Sequence, residues 1–316
     1  MKHDLRIVFM GTPDFAVATL KTLVNNNYNI VGVVTAPDKP AGRGRKLHES
    51  AVKVYAKANN LKILQPTNLK SETLLDELNA LQVNLQIVVA FRMLPKVVWQ
   101  MPKFGTFNLH ASLLPDYRGA APINWAIING ETVSGVSTFF IDEKIDTGDM
   151  IMQEEVSIAK TDTAGDLHDK LMNVGSHLVL KTVEQIASGT VKTTPQKNLE
   201  TVKEAPKLNR DNCKIDWTST LEEIYNKVRG LSPYPAAWTH LLNGDDTLEV
   251  KIYKCSIEHN NHDLKIGTIV TSKKALKIAA KKGFIIIEEI KLPGKRKMDS
   301  QSLLNGYQFL PGAKML

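Results

Sequence analysis

Asn108 and His110 stand two residues apart in the run Phe107-Asn108-Leu109-His110-Ala111. Side chains of an extended strand alternate faces, so the amide and the imidazole point one way while Phe107 and Leu109 point the other, into apolar packing. Such a pair can bind a ligand or handle a proton. It can equally be a neutral buried histidine satisfied by an asparagine, and spacing alone leaves both open. A carboxylate source lies further on, Asp146 within Asp142-Glu143-Lys144-Ile145-Asp146-Thr147-Gly148-Asp149. A carboxylate beside a histidine favours the imidazolium and fixes the ring's orientation, yet an acidic stretch is also an ordinary solvated turn. A third group is cationic. Arg43, Arg45 and Lys46 sit beside Gly42 and Gly44 in the stretch Thr35–Glu49. That composition describes a glycine-flexible basic surface loop, and also one able to order against an anion.

These residues need elements to carry them. Leu5–Met10, Ile30–Val34, Gln86–Ala90, Phe104–His110 and Val136–Ile141 read as strands, with helices at Ala51–Asn59, Ser71–Ala80 and about Pro122 to Asn129 between them. After the first strand, Gly11-Thr12-Pro13-Asp14 offers a turn glycine, a capping threonine, a proline for the first helical position and an acid for the first turn. Strand–helix alternation predicts an α/β, Rossmann-like, mostly parallel sheet, with ligands collecting at the carboxyl ends of its strands. His110 then falls at such an end. A long helix from about Thr163 to Ser188 repeats Leu167, Leu171, Val174 and Leu178 and stops at Gly189.

Residues 190–206 are polar, with prolines near both ends, and read as a linker between a domain at 1–189 and another at 207–316. The later part carries a helix at Leu221–Leu231. Short strand candidates follow at Ala236–Leu242, Leu248–Ile257, Thr268–Ser272, Leu276–Lys282 and Phe284–Leu292. Their number and spacing suggest a small OB-like β-barrel.

Composition narrows the class. The chain has 316 residues, 43% hydrophobic and 23% charged, values that exclude wholesale disorder and collagen-like repeats. Its apolar runs are too short to span a bilayer, and a secretory signal is missing from the N-terminal residues, so a soluble cytoplasmic protein is expected. Cys213 and Cys255 lack the clustering of a metal site and read as buried thiols. Net charge is uneven. Residues 1–206 hold 22 Lys and Arg against 21 Asp and Glu, whereas residues 207–316 hold 18 against 12. The excess suggests an anionic partner, nucleic acid among the choices, although a solvated lysine-rich face has the same composition.

Taken together, Asn108, His110, Ser112-Leu113-Leu114-Pro115, Tyr117-Arg118-Gly119 and Asp146-Thr147-Gly148-Asp149 resemble the folate-dependent formyltransferases. Phe9-Met10-Gly11-Thr12-Pro13-Asp14-Phe15, the stretch Ala36–Gly44 and Ile215-Asp216-Trp217 extend the likeness over nearly the whole chain, toward the branch acting on methionyl initiator tRNA. The resemblance implies a formyl donor, 10-formyltetrahydrofolate, and an acceptor, the methionine α-amino group. Asn108 and His110 match the family's oxyanion-stabilising pair, and Asp146 the carboxylate that holds the histidine and helps remove the ammonium proton. Ser112, Leu113, Leu114 and Pro115 match the folate-contacting loop. Arg43, with Arg45 and Lys46, matches the loop that enters the acceptor stem, and Lys207 a lysine near the tRNA terminus. Lys295-Arg296-Lys297 would add phosphate contacts. The sequence departs from the family pattern at Ala90-Phe91-Arg92-Met93-Leu94-Pro95, where many relatives have Tyr-Gly and one more residue.

A monomer without metal is expected. The competing readings are a formyltransferase acting on glycinamide ribonucleotide or a sugar nucleotide, and a tRNA-binding protein without catalysis. A dinucleotide-dependent dehydrogenase is disfavoured, since Gly11-Thr12-Pro13-Asp14 is not Gly-x-Gly-x-x-Gly and sets an acid where pyrophosphate would lie.

Overall fold

A computed structural model describes residues 4–41, 46–197 and 201–316. The elements run β1 (Ile7–Gly11), α1 (Asp14–Asn25), β2 (Ile30–Val34), β3 (Lys39–Ala41), β4 (Lys46–His48), α2 (Ala51–Ala58), β5 (Ile63–Leu64), α3 (Glu72–Ala80), β6 (Leu85–Val89), α4 (Lys96–Trp99), β7 (Thr106–His110), β8 (Arg118–Gly119), α5 (Pro122–Ile128), β9 (Val133–Phe140), β10 (Met150–Ser157) and α6 (Ala164–Ser188). They continue with β11 (Glu204–Ala205), α7 (Leu221–Leu231), β12 (Ala237–Asn243), β13 (Asp246–Glu258), β14 (Ile269–Thr271), β15 (Leu276–Ala280), β16 (Gly283–Lys291), β17 (Met298–Asp299), α8 (Ser300–Gly306) and β18 (Lys314–Met315). The chain divides into two compact units. One comprises Met1–Gly119, Ser134–Ser157 and His168–Glu204, the other Ala120–Val133, Ile158–Leu167 and Ala205–Leu316.

The first unit is built on a sheet of order β10-β9-β7-β6-β1-β2-β5. Strands β5, β2, β1, β6 and β7 are parallel, and β9 runs antiparallel to β7. Chain order reverses at β1, with β2 and β5 on one side and β6 and β7 on the other. The carboxyl ends of β1 and β6 therefore flank a topological switch point, where ligands of such sheets bind. Val8, Met10, Val34 and Val88 line one face with Leu74 and Leu78 of α3 and Val98 of α4. Phe9, Ile87, Phe107 and Leu109 line the other, all nearly or wholly inaccessible. Each such side chain contributes about 1.5–3 kcal/mol by leaving water. Helix α6 approaches this second face at Gly175, where a Cβ would come within 2.9 Å of Leu109 Cδ2 and 3.4 Å of Val136 Cγ1.

Helix α1 leaves β1 directly. A Cβ on Gly11 would sit 2.6 Å from Ala16 Cβ, so glycine is needed for the close approach. The cap is one residue later than its sequence suggests. Pro13 is the N-cap, without a side-chain cap bond, and Asp14 is the first helical residue. The ring's fixed φ suits either position, but Thr12 is thereby left outside the helix. Strands β3 and β4 form a hairpin within a stretch that reads as loop, pairing Lys39 with His48, Pro40 with Leu47 and Ala41 with Lys46. Strands of three residues, Lys-Pro-Ala and Lys-Leu-His, are too short to show the alternation that would reveal them.

The second unit is an antiparallel sheet of order β14-β15-β16-β13-β12-β18, with β17 beside β16. Its ends nearly meet. Thr268 bridges Lys314, Ile269 N–H donates to the Ala313 carbonyl, and Met315 N–H to the Gly267 carbonyl. The ring encloses Val250, Ile252, Ile278, Ile285 and Ile287, with Trp217, Trp238 and α7 in the same core. Helix α5 belongs here. Gly230 of α7 lets the helices touch, since a Cβ there would lie 2.7 Å from Ile128 Cγ1, and Asn124 Nδ2 donates to its carbonyl at 2.8 Å. Cys213 and Cys255 are free and buried. Among the described residues, no helix is long and apolar enough to cross a membrane.

Candidate active site

Strand β7 ends at the mouth of the sheet, and its register with β6 sets Asn108 opposite Val88, on the face covered by α3 and α4. Phe107 and Leu109 are buried on the opposite face. His110 follows Asn108 on the same side by alternation, about 7 Å along the strand. Asn108 is half-buried, and its amide makes no hydrogen bond to any described residue. An amide at the edge of a core without a partner is a donor and acceptor left for something else.

Asp146 reaches His110 by an indirect path. Because β9 is antiparallel to β7, with Ser137 opposite His110 and Phe140 opposite Phe107, β9 ends beside the start of β7. The connection to β10 must fold back over the sheet face, and Ile141 packs into the α3–α4 side of the core. Gly148 permits the tight return, as a Cβ there would lie 1.7 Å from the Phe140 carbonyl oxygen. Asp142 braces the loop from within, accepting from Lys144 N–H at 3.0 Å and from the Thr147 hydroxyl at 2.8 Å. Asp146 Oδ2 then stands 3.7 Å from His110 Nδ1, an ion-pair distance longer than a hydrogen bond. The same oxygen accepts from Gly119 N–H at 3.0 Å.

His110 is 7% exposed. Its Nε2 lies 2.8 Å from the Tyr117 carbonyl. A carbonyl only accepts, so Nε2 carries hydrogen and Nδ1 is the nitrogen turned toward Asp146. Amide and imidazole thus come from one strand and the carboxylate from a loop further along the chain, with a third stretch, Tyr117–Gly119, holding the last two. Tyr117 and Gly119 act through backbone, where side-chain types give no signal.

The loop after His110 is fixed from below. Ser112 is fully buried and its hydroxyl donates to the Asp116 carbonyl at 2.6 Å. Ser137 Oγ accepts from Leu114 N–H at 3.2 Å and donates to the Ser112 carbonyl at 2.6 Å. Gln153 Nε2 donates to the Leu114 carbonyl at 2.9 Å. Leu114 is buried, while Leu113 and Pro115 are half-buried. Ser112 and Leu114 therefore shape this loop, and Pro115, Leu113 and the backbone are what it can present. Beyond β6, Arg92 bonds back to the Pro66 carbonyl at 2.8 Å and the Thr67 carbonyl at 3.2 Å, with its guanidinium carbon 5.2 Å from the Phe91 ring centre. That leaves Phe91 half-buried and Met93 69% exposed at the neighbouring strand end. Apolar side chains thus follow the ends of both β6 and β7.

The basic residues fall elsewhere. Arg43 and Arg45 lie outside the described residues. Lys46 closes the hairpin backbone opposite Ala41. At the hairpin's base Lys53 Nζ meets Asp38 Oδ2 at 2.5 Å and Glu49 Oε1 at 3.2 Å, and Gln65 Nε2 donates to Asp38 Oδ1 at 2.9 Å. The hydrogen bond from Lys53, then that from Gln65, holds the Asp38 carboxyl below the usual carboxylate range. Lys207 is exposed, its carbonyl accepting from Asn212 Nδ2 at 3.1 Å. Lys295 and Arg296 are exposed, whereas Lys297 pairs with Glu289 at 2.6 Å and lies 5.5 Å from the Tyr253 ring centre. In the second unit Asp216 caps a local turn through Thr218 N–H and hydroxyl, and Trp217 Nε1 donates to Thr239 Oγ1 at 2.9 Å. Both are structural. Among the described residues no three His, Cys, Asp or Glu side chains are grouped to hold a metal ion.

Residues 5–183 match the formyl transferase family and residues 207–308 its C-terminal domain. The chain is 59% identical over 313 residues to the methionyl-tRNA formyltransferase of Flavobacterium johnsoniae, covering 99% of each. It is 51% identical over 319 residues to that of Bacteroides thetaiotaomicron, again covering 99% of each. Among solved structures it resembles WlaRD, a sugar 3N-formyl transferase crystallised with dTDP and 5-N-formyl-THF, with a TM-score of 0.66 and 25% identity over 93% of this chain and all of that one. The chain belongs to the formyl transferase family.

Proposed function

We propose that this chain transfers the formyl group of 10-formyltetrahydrofolate to the α-amino group of methionyl initiator tRNA, in support of translation initiation. The supporting likeness is to full-length relatives that carry that activity in their names. The observation that carries the chemistry is the Asp146 carboxylate 3.7 Å from the His110 imidazole, with the Asn108 amide on the same strand face and bonded to no described residue.

As the amine nitrogen attacks the formyl carbon, the carbonyl oxygen takes on negative charge. Asn108 supplies an N–H toward it. His110 has Nε2–H committed to Tyr117, so donation from Nδ1 requires the doubly protonated ring, and that charge faces Asp146. Preorganised donors of this kind are worth ~10²–10³ in rate each. Collapse of the tetrahedral adduct breaks the bond to N10, which takes up a proton as the attacking amine gives one up. Asp146 is the carboxylate at hand for that proton. Leu113, Pro115, Phe91 and Met93 provide apolar surface suited to a flat pteridine.

Arg43, Arg45 and Lys46 are assigned to the tRNA acceptor stem, with Lys207 near its terminus and Lys295 and Arg296 on phosphates. Residues 1–189 then make the catalytic domain and 207–316 the tRNA-binding one, joined by 190–206. A cytoplasmic monomer that engages no membrane fits substrates of this kind.

The test offers purified protein the folate donor with charged initiator tRNA, glycinamide ribonucleotide or a nucleotide-linked aminosugar. Formylation of the tRNA is expected. Formylation of a small amine alone overturns the assignment, and no transfer at all favours a binding protein. Arg43→Ala should raise KM for tRNA and leave folate affinity alone; equal losses in both would show the loop misassigned.

A further inference from the structure

The polar stretch that reads as a linker is bonded to the loops around the site. Thr194 and Met150 exchange two backbone hydrogen bonds of 2.9 Å. Tyr117 N–H donates to the Lys203 carbonyl at 2.5 Å, and Lys203 N–H to Asp116 Oδ1 at 3.0 Å. Between these ties, Gln196 Nε2 donates to the carbonyls of Asp146 and Gly148, each at 2.9 Å. Its Oε1 accepts from Arg118 Nη2 at 2.5 Å and Nε at 3.2 Å, and Arg118 Nε also donates to the Asp146 carbonyl at 3.0 Å. One glutamine, 50 residues along the chain, therefore meets the backbone of Asp146 directly and through an arginine.

Asp142 braces the loop from within, Gly119 N–H holds the Asp146 carboxylate and Lys96 pairs with Glu143, but its tip has little apolar cover. Glu143, Lys144 and Ile145 are exposed, Ile145 by 61%. On the Gln196 side the loop borders a cavity of about 370 Å³ lined by Arg118, Asp142, Glu143, Lys144, Thr147 and Gln196, all of them polar. The Asp146 backbone itself sits at φ +55°, a left-handed conformation that neighbouring bonds must sustain. A loop with few apolar contacts is placed by its hydrogen bonds.

From this arrangement we infer that Gln196, acting with Arg118, is a positioning residue for formyl transfer: it holds the Asp146 backbone so that the carboxylate stays beside His110. The inference rests on the reading of Asp146 as part of the catalytic group. Gln196 touches no reacting atom, so its loss acts on the chemical step and not on the binding of either substrate. A misplacement of about 1 Å in such a group can cost ~10²-fold.

The experiment compares Gln196→Met and Gln196→Glu with the parent protein and with Asp146→Ala, alone and combined, measuring kcat, KM for both substrates and thermal melting. Methionine keeps the volume and loses every bond. Glutamate keeps the acceptor for Arg118 and loses the donor to the Asp146 and Gly148 carbonyls. Both substitutions should lower kcat ~10- to 100-fold with KM values and melting nearly unchanged, and either should add little once Asp146 is alanine. If Asp146→Ala is inactive while both Gln196 variants keep full kcat, the positioning role is overturned and the catalytic reading stands. If Asp146→Ala is fully active, the catalytic reading falls and the inference with it. Losses in KM or melting matching the loss in kcat would reduce Gln196 to a structural tie and also overturn the proposal.

Discussion

Gly119 N–H donates to Asp146 Oδ2 at 3.0 Å, and that same oxygen stands 3.7 Å from His110 Nδ1. The carboxylate is therefore gripped by backbone from one side and turned to the imidazole on the other. Its reach to the ring depends on a dipole that mutation of side chains near Gly119 would not remove.

Asp146→Asn tests the carboxylate with little change in volume. An amide can still accept from Gly119 N–H through its oxygen, so the loop should persist. In the proposed mechanism, neutrality removes both the counter-charge beside His110 and the acceptor for the ammonium proton. We expect kcat to fall ~10²–10⁴-fold, the range of lost acid–base help, with folate affinity by fluorescence titration unchanged. Retention of more than a tenth of the parent kcat would take Asp146 out of the mechanism.

Asn108 gives a cleaner case because its side chain holds no other described residue by a hydrogen bond. With no hydrogen bond to any described residue, its truncation to alanine should move stability by only about 0.5 kcal/mol. The rate should drop ~10²–10³-fold if the amide faces the developing oxyanion. Asn108→Asp should be at least as damaging, since a carboxylate places negative charge against negative charge. A parent-like Asn108→Asp would show that the amide faces no oxyanion.

Much of this was legible in the residues. Alternation placed Asn108 and His110 on one face, and the parallel sheet set them at a strand's end. Ile30–Val34 and Leu221–Leu231 keep the bounds read for them, and in the structure a capping box between Thr220 and Glu223 secures the start of the helix. The adjacency of Asp146 was readable only as a neighbouring loop, because β9 runs antiparallel and the path back over the face depends on Gly148. Tyr117-Arg118-Gly119 is legible only as part of the resemblance, without its role, and Gln196 carries no signal, since their contacts run through backbone or span up to 78 residues. Strand β10 was missed because its residues are partly exposed and include two acids.

Gly148→Ala should disable the enzyme through geometry alone. The added methyl would overlap the Phe140 carbonyl, 1.7 Å away, and the loop must lift off β9 to admit it. Displacement confined to this loop should lower melting by only a few degrees, about 1–3 kcal/mol of local strain, while kcat falls as far as in the Asp146 variants. A fully active, equally stable alanine variant would mean that the loop has a second accessible path.

Lys53 neutralises Asp38 and Glu49 at the base of the β3–β4 hairpin. Hydrogen bonding, led by Lys57 for Glu49 and by Lys53 for Asp38, depresses both carboxyls, so their contribution is present above the ordinary value of about 4 and is lost as pH falls through the lowered ones. Carbon-13 NMR titration should therefore find the Asp38 midpoint below that of a free aspartate. Lys53→Met should return it upward and raise KM for tRNA several-fold with folate unaffected. An ordinary midpoint in the parent protein would show that the pairing does not persist in solution.

Lys295, Arg296 and Lys297 are neighbours in sequence, yet only Lys297 already has a carboxylate partner, Glu289, and an aromatic face, Tyr253. Contacts to phosphate release counterions, and the slope of log binding constant against log salt counts them at roughly 0.9 each on duplex. Replacing Lys295 and Arg296 together with alanine should therefore weaken tRNA binding and flatten the slope by about 2. Lys297→Ala should leave the slope nearly as it was, because a cation engaged with Glu289 is not free to neutralise phosphate. Salt titration by filter binding separates the cases. An equal flattening from Lys297→Ala would mean that the ion pair opens on the tRNA and that all three cations act as one patch.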